Sequence, residues 1–201
     1  MTGSDSSPTR SAFLELQDER QVVREGFEFL DEKRVILARE MLRRLADWQS
    51  GQHRYLEWHE RAVVAMARAL GRHGLDGLEV YPPRIPETFD LGLKESRFLG
   101  VTLVDGDVEC LPGSEPGAVN PSPEARRCAV LFGELAAMAV DLSVQRACLE
   151  RLIEEYKRTE RRARALENVV LPEIDESLDF IGDQLEAVDQ EEAIRVRTAR
   201  G

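Results

Sequence analysis

Apolar residues recur every three or four positions along two long segments, which lie before and after a proline-rich middle. This spacing is typical of amphipathic helices that pair with each other. The first segment contains no proline between Ser11 and Leu70, and Thr9 or Ser11 can cap its start. We expect Gly71 and Gly74 to end this helix. Its apolar stripe comprises Phe13, Leu16, Val23, Phe27, Leu30, Leu37, Met41 and Trp48, then Tyr55, Trp58, Ala62, Met66 and Leu70.

Polar interruptions also occur within this first helix. Arg20, Arg34 and Arg44 occupy positions of the stripe where apolar residues are the rule. Their long stems can reach out of a loose seam toward solvent or toward a partner. Gly26 costs about 1 kcal/mol relative to alanine in a helix. Close approach of another chain and tolerated sequence drift explain this glycine equally well.

The second segment predicts a helix from about Pro123 to Glu192, with Pro123 and Glu124 in its first turn. Pro172 interrupts it, and a proline inside a helix removes one backbone hydrogen bond and bends the axis. The apolar seam steps by four residues from Val170 to Ile174, a stutter that locally unwinds a supercoil. The seam comprises Val130, Leu131, Leu135, Met138, Leu142, Leu149, Leu152, Tyr156, Ala163, Val170, Ile174, Leu178, Ile181, Leu185 and Val188.

The middle of the chain differs in kind, because residues 75–123 hold seven prolines, which a continuous helix does not tolerate. The run from Phe98 to Val104 is a strand candidate. Asp105-Gly106 follows it and precedes a second β-rich run, a pattern that favours a type I′ hairpin turn. Tyr81 or the run from Phe89 to Leu93 can supply a further strand.

These elements predict a mainly α protein, in which a long antiparallel two-helix coiled coil carries a small central insert. The insert contains a β-hairpin and short helical pieces. The alternative is that the two helices stay separate and pair with other chains. An antiparallel pairing would set Phe13 near Val188 and Leu37 near Ala163. The predicted boundaries are a disordered tail (1–8), a first helix (9–71), the insert (72–123), a second helix (124–194) and a tail (195–201).

Charge and composition narrow the function. The net charge of −11 disfavours non-specific nucleic-acid binding. The start of the chain lacks the apolar core of a secretory signal, and three cysteines without CxxC spacing suit a reducing cytoplasm. No run of about 18 apolar residues is present, so we expect no membrane span.

Chemistry-bearing motifs are missing from the sequence. It has no GxxxxGK[ST] phosphate loop, and His53, His59 and His73 lack zinc-ligand spacing. The many carboxylate pairs fall on helix faces exposed to solvent, where nothing raises a pKa. We therefore expect no cofactor, no metal and no active site of its own.

Charge is distributed unevenly along the predicted hairpin. Residues 173–192 include nine acidic residues and no basic one. The antiparallel pairing would place two arginine groups at one level along the hairpin. Such like charges repel each other unless acidic groups lie nearby. The predicted arginine girdle comprises Arg39, Arg43, Arg44, Arg161, Arg162 and Arg164.

Several short motifs, in the same order along the chain, resemble those of the D subunit of V/A-type rotary ATPases and ATP synthases, in its bacterial form. The clearest is the C-terminal helix signature formed by Arg162, Ala165–Asn168, Val170 and Leu171-Pro172. The resemblance spans about Pro8 to Glu192. The residues around 113–123 match that family poorly. The other matching pieces are Pro8–Arg10, Arg24–Gly26, Leu30–Arg34 and Ser96–Val101.

The resemblance implies a central-stalk rotor shaft that is not itself catalytic and is peripheral to the membrane. In that family both termini point into a head of catalytic and non-catalytic subunits (A and B type). The F subunit, a small rotor component, binds the shaft, and the C subunit at the base of the stalk links it to the membrane ring. Rotation of the shaft couples ATP turnover to proton or sodium transport. We hypothesise an interface formed by the arginine girdle together with Leu166, Glu167, Asn168, Leu171 and Pro172.

Two other classes of function compete with this interpretation. A non-rotary coiled-coil scaffold or adaptor needs only the heptad pattern and predicts folding and function without an ATPase partner. An enzyme predicts a buried polar cluster in the insert.

Overall fold

The computed structural model describes residues 9–79, 81, 89–105, 108–110 and 121–199. The predicted N-terminal tail, residues 1–8, lies outside this part of the chain. Two long helical segments flank paired antiparallel strands, which confirms the predicted fold class. The elements are helix α1 (Arg10–Glu79), strands β1 (Phe89–Leu91), β2 (Lys94–Phe98), β3 (Val101–Asp105) and β4 (Val108–Cys110), helix α2 (Pro123–Ala165), a π-helical turn (Leu166–Val170) and helix α3 (Leu171–Ala199).

Helix α1 begins with a side-chain cap and runs further than the sequence predicts. Thr9 Oγ1 accepts a hydrogen bond from the Ala12 N–H at 3.2 Å, which satisfies one of the free donors of the first turn. Gly71 is helical, so the prediction that it ends the helix is wrong. The backbone leaves helical geometry at Gly74, where φ is 70° and ψ is 174°. That conformation is open to glycine and strained for other residues.

The chain divides into two compact units. The first, which we call the terminal unit, combines residues up to Ile36 with those from Tyr156 onward. The second, the central unit, runs from Leu37 to Glu155. The predicted proximity of Leu37 and Ala163 joins residues of different units and stays a prediction; each side chain is fully buried.

In the terminal unit the start of α1 lies antiparallel to α3. Arg10 forms an ion pair with Asp189 at 3.0 Å, and Arg20 forms one with Asp175 at 2.7 Å. The residue numbers in α3 fall as those of their partners in α1 rise, so the two helices are antiparallel. Arg20, predicted as an interruption of the seam, thus reaches a carboxylate at its edge.

The register of this pair differs from the predicted one. A Cβ placed on Gly182 would lie 3.8 Å from Phe13 Cε2, whereas Val188 is half exposed. Phe13 therefore lies opposite residues about two to six positions before Val188, since the Arg10–Asp189 pair indicates residue 186 and this contact indicates Gly182. The register is set by the buried seam of α2 and α3, which comprises Thr159, Ala163, Ile174, Leu178 and Ile181.

The central unit packs small residues of α1 against α2. Ala65 and Ala69 form a cluster with Cys128, against which Leu78 and Leu131 pack. Small side chains allow the two helix backbones to approach closely. The residues that form this seam are therefore not the ones that the heptad pattern predicts. Met66 and Leu70, which that pattern places inside, are about 40% exposed.

The strands of the central unit pair in two antiparallel ladders. Strand β2 pairs with β3 through a tight turn at Leu99-Gly100, where both residues have positive φ (48° and 88°). Strand β1 pairs with β4. The prediction of a hairpin turn at Asp105-Gly106 is therefore wrong: the expected single strand from Phe98 to Val104 itself contains the turn, while Gly106 lies outside the described residues.

Strand β3 is held against α2 by an unusual set of contacts. Val101 and Leu103 are buried, and the Cys148 thiol lies 3.2 Å from both the N–H and the carbonyl oxygen of Val104. Arg151 Nη1 donates to the Thr102 carbonyl at 3.0 Å. These bonds satisfy backbone groups that the two-stranded ladder leaves free.

Candidate functional site

A π-helical turn lies at the centre of the C-terminal motif. It spans Leu166–Val170, and the Leu171 N–H donates to the carbonyl oxygen of Leu166, five residues earlier. Pro172 follows directly; it has no N–H, and its ring disfavours the carbonyl position of a regular helix four residues back. The wide turn accommodates the proline, and it lies where the apolar seam steps by four residues from Val170 to Ile174.

This turn presents its side chains mainly to solvent. Glu167, Asn168 and Pro172 are exposed, Leu171 is half-buried, and no residue of the turn is fully buried. Leu166 faces the partner helix, where its Cδ1 would lie 3.8 Å from a Cβ on Gly26. That distance is an ordinary van der Waals contact, so a methyl group fits at Gly26. Close approach does not demand this glycine.

Three arginines precede the turn on the exposed side of the same helix. Ala163 is buried, so its neighbours at 161, 162 and 164 point away from the seam. Arg164 forms an ion pair with Glu160 at 2.6 Å, and Arg161 Nε donates to the Lys157 carbonyl at 3.3 Å. Within the described residues, Arg162 makes no hydrogen bond or ion pair. The surface formed by Arg161, Arg162, Arg164, Glu167, Asn168, Leu171 and Pro172 is hereafter the π-turn surface.

The other predicted arginines lie in the central unit and do not share one role. Arg44 is largely buried and bonds to both Glu40 and Asp105, at 2.8 and 2.9 Å. These carboxylates raise the pKa of Arg44, with Asp105 the larger cause. Arg44 is therefore an internal anchor for strand β3. It is not a free surface cation.

The side chains of Arg43 and Arg39 are exposed at the surface. Arg43 bonds to Glu40 at 2.6 Å and to Asp47 at 3.3 Å, with more than half of its side chain exposed. Hydrogen bonds from Arg43, and then from Arg44, lower the pKa of Glu40 to about 2. Arg39 is exposed and makes no ion pair among the described residues. Whether this group lies level with Arg161–Arg164 concerns the two units together and stays a prediction.

Sequence reasoning missed a buried polar cluster where α1 ends and α2 begins. The Ser122 hydroxyl oxygen accepts a hydrogen bond from the Ala125 N–H at 3.1 Å and lies 2.6 Å from His73 Nε2. The Ser122 N–H donates to the Tyr81 hydroxyl at 2.9 Å. A serine immediately before Pro123 and Glu124 is a recognisable N-cap signal, whereas nothing local predicts the His73 and Tyr81 contacts.

Ser122 and His73 are residue types that act as nucleophile and base in enzymes. Here the Ser122 hydroxyl caps the start of α2 instead. Ser122 is buried, which denies a substrate access to its hydroxyl, and that oxygen already accepts a backbone N–H. Burial also raises the pKa of the Cys128 thiol, which makes it a poor nucleophile. Among the residues that the structure describes, no group of three or more His, Cys, Asp or Glu could hold a metal ion.

By length and composition, one stretch within Pro123–Ala199 is apolar enough to cross a membrane. This finding rests on length and composition alone, so the expectation of no membrane span stays a prediction. Core helices of soluble proteins pass the same threshold. Only 6% of this stretch is buried in the structure.

Comparison with known proteins identifies relatives of nearly the same length. The profile of the family described as the D subunit of ATP synthase matches residues 12–201. The D subunit of the A-type ATP synthase of Methanoregula boonei is 29% identical over 203 residues, covering 98% of this chain and 97% of the relative. The D subunit of the V-type ATP synthase of Thermotoga neapolitana is 26% identical and covers 95% of each chain, and that of Anaeromyxobacter dehalogenans strain 2CP-C is 30% identical with 98% and 96% covered.

Proposed function

Because this chain belongs to the ATP synthase D-subunit family, we propose that it is the central-stalk rotor shaft of a V/A-type rotary ATPase or ATP synthase. In this proposal it couples ATP hydrolysis or synthesis in the catalytic head to proton or sodium transport through a membrane ring. It is a non-catalytic subunit that works within the assembled complex, peripheral to the membrane.

The observation that supports this role best is the antiparallel packing of the terminal unit. Arg10–Asp189 and Arg20–Asp175 bridge the helices on their flanks, and buried seam residues such as Ala163 and Ile174 lie between them. A shaft must resist bending and twisting, and two helices packed along a shared seam resist both better than one.

The partners that we propose are the A-type and B-type head subunits, the small F subunit of the rotor and the C subunit at the base of the stalk. The π-turn surface is the candidate contact for one of them. Arg162 has no ion pair within the described residues, and Arg161 makes only a long bond to a backbone carbonyl. Arginines in this state can form bidentate bonds with carboxylates of a partner without first breaking an internal pair.

The test is charge reversal at the π-turn surface within the assembled enzyme. We expect Arg161→Glu, Arg162→Glu and Arg164→Glu together to reduce ATP-driven ion transport at least tenfold relative to ATP hydrolysis. Thermal unfolding of the isolated chain should change little, because all three side chains are exposed. Unchanged hydrolysis and transport in the triple variant would refute the role of this surface.

A matched control replaces the same three residues by lysine. This variant keeps the positive charge and loses the planar bidentate geometry of arginine. If the partner recognises charge alone, the variant should retain most of the coupling between ATP hydrolysis and ion transport. Equal defects in the lysine and glutamate variants would point to guanidinium geometry instead.

The rotor role itself is tested by gentle purification of the complex through a tag on this chain. Co-purification of two head-sized subunits with Mg-ATP hydrolysis activity is the expected result. An inactive preparation with unrelated partners would favour the scaffold alternative.

A further inference from the structure

An open groove in the central unit, of about 610 Å³, separates the flank of α1 from the first turns of α2. Trp58, Val64 and Ala65 contribute its α1 side, and Leu131 contributes apolar surface from α2. Every one of these residues belongs to the central unit. The groove is separate from the π-turn surface and contains none of the residues singled out from the sequence as a site.

Three arginines line the groove: Arg61, Arg68 and Arg127. In the part of the chain that the structure describes, neither Arg68 nor Arg127 has a hydrogen-bond or ion-pair partner. Arg61 lies over the Trp58 ring, 5.6 Å from its centroid, which is a cation–π contact, and it has no hydrogen-bond or ion-pair partner among the described residues.

The acidic residues of the groove do not neutralise these cations. Glu124 is already paired, since Arg72 Nη1 lies 2.8 and 2.9 Å from its two oxygens. A hydrogen bond to its own backbone N–H, and then the pair with Arg72, lower the pKa of Glu124. Among the described residues that line the groove, Glu60 remains as the single unpaired carboxylate against three arginines. The groove is therefore a locally positive site on a chain whose net charge is −11.

We propose that this groove binds an acidic polypeptide segment of a partner protein, with an apolar side chain of that segment seated against Trp58 and Leu131. Complementary charge selects the partner, because free arginines pair bidentately with carboxylates. Tryptophan and arginine are also the residues most enriched at the energetic centres of protein interfaces.

The global charge argues for a protein segment rather than a nucleic acid or an anionic membrane. An extended polyanion would face the whole acidic chain and be repelled by it at long range. A short acidic segment meets only the local positive patch, since screening limits charge interactions to about 8–10 Å at physiological salt. The inference does not depend on rotation and can be tested on the isolated chain.

The probe is Trp58 fluorescence in the full chain carrying Trp48→Phe, which leaves Trp58 as the single tryptophan. The titrants are a synthetic peptide of glutamates and leucines and a matched peptide with glutamine in place of each glutamate. We expect a saturable emission change with the acidic peptide alone, weakened by added salt.

Replacing the free arginines supplies the decisive comparison. Arg68→Ala and Arg127→Ala should each weaken binding about twofold to fivefold, and the double variant about tenfold. The matched control is Arg146→Ala, an exposed arginine of α2 that pairs with Glu150 outside the groove, and its affinity should not change.

Three results would overturn the proposal. They are equal emission changes with both peptides, unchanged affinity in the Arg68→Ala and Arg127→Ala double variant, or a response to phosphatidylglycerol vesicles with none to the acidic peptide. The last result would assign the groove to a lipid surface instead. None of them bears on the triple charge reversal at the π-turn surface, so the two proposals fail separately.

Discussion

Arg44 Nη1 lies 2.9 Å from Asp105 Oδ1, and this pair joins the middle of α1 to the end of strand β3. The residues are 61 positions apart. The Arg44 side chain is only 13% exposed, so its charge depends on Asp105 and Glu40 for compensation. A residue that the heptad pattern marks as a seam interruption is thus the point where the β-ladder attaches to the helix.

Removing this anchor should destabilise the central unit. We expect Arg44→Met to lower the free energy of unfolding by about 1–3 kcal/mol, because it leaves the partly buried Glu40 with one cation fewer. Urea unfolding followed by circular dichroism measures this. Arg39→Met, which removes an exposed arginine of the same helix, is the control and should change stability by less than about 0.5 kcal/mol. Equal effects of the two substitutions would contradict the anchor role.

Acid should weaken the same cluster through Glu40. Its pKa is lowered to about 2 in the folded chain from an ordinary value of 4.5, so its contribution is complete above the ordinary pKa and is lost as pH falls through the folded one. Between pH 5 and pH 2 the wild type should therefore lose more stability than Glu40→Gln. Urea midpoints across that range measure the difference, with Asp47→Asn, an exposed carboxylate on the same helix, as the control.

The cap at Ser122 should be worth more than an ordinary surface serine. Ser122→Ala removes the bond to the Ala125 N–H and leaves His73 Nε2 without its partner, for an expected loss of about 1–2 kcal/mol. Thermal unfolding measures it. Ser143→Ala serves as the control, because the Ser143 hydroxyl is exposed and bonds only to the carbonyl four residues earlier. A loss no larger than that of the control would show that the cap is dispensable.

Two glycines near the end of α1 should respond oppositely to alanine. Gly71 is helical, and a Cβ added there would meet no atom within 4 Å, so Gly71→Ala should raise stability by about 0.5–1 kcal/mol. Gly74 has φ +70°, which alanine adopts only with strain, so Gly74→Ala should lower stability by about 1–2 kcal/mol. Thermal unfolding of both variants checks the opposite signs. Two changes of the same sign would contradict the helix break at Gly74.

Pro172→Ala should change stability by less than about 1 kcal/mol, although an interior helical proline costs about 3 kcal/mol. The π-helical turn already carries the Leu171 N–H to the carbonyl oxygen of Leu166, so the proline ring meets no regular helical turn. Arg158→Pro, at an exposed position of regular α2, is the comparison and should cost about 3 kcal/mol or more. If Pro172→Ala instead raised the free energy of unfolding by about 3 kcal/mol, the π-helical turn would not relieve the cost of the proline.

The periodic apolar positions were enough to predict two long helices around a β-containing insert, and the stutter at Val170–Ile174 indicated an irregularity beside Pro172. These are local properties, set by backbone geometry and by which face of a helix must be buried. The short ordered motifs were likewise enough to suggest the family, which the comparisons then established.

The heptad pattern alone decided neither the seam nor the register. Ala65 and Ala69 replaced Met66 and Leu70 in the core, and Phe13 came to lie beside Gly182, a few residues before the predicted Val188. Both seams satisfy the same spacing. The difference between them lies in how closely small side chains let two helices approach, which depends on both partners at once.

In the candidate site, too, the sequence predicts some features and the tertiary structure alone decides others. Sequence placed Arg161, Arg162 and Arg164 on an exposed helix face, because their neighbour Ala163 belongs to the seam. It did not reveal that Arg44 is paired with Asp105, or that Arg68 and Arg127 flank one groove. Periodicity determines which side of its own helix a residue occupies. Only the tertiary structure decides which distant charge it meets, because that depends on loop paths and inter-helix register that short-range pattern does not encode.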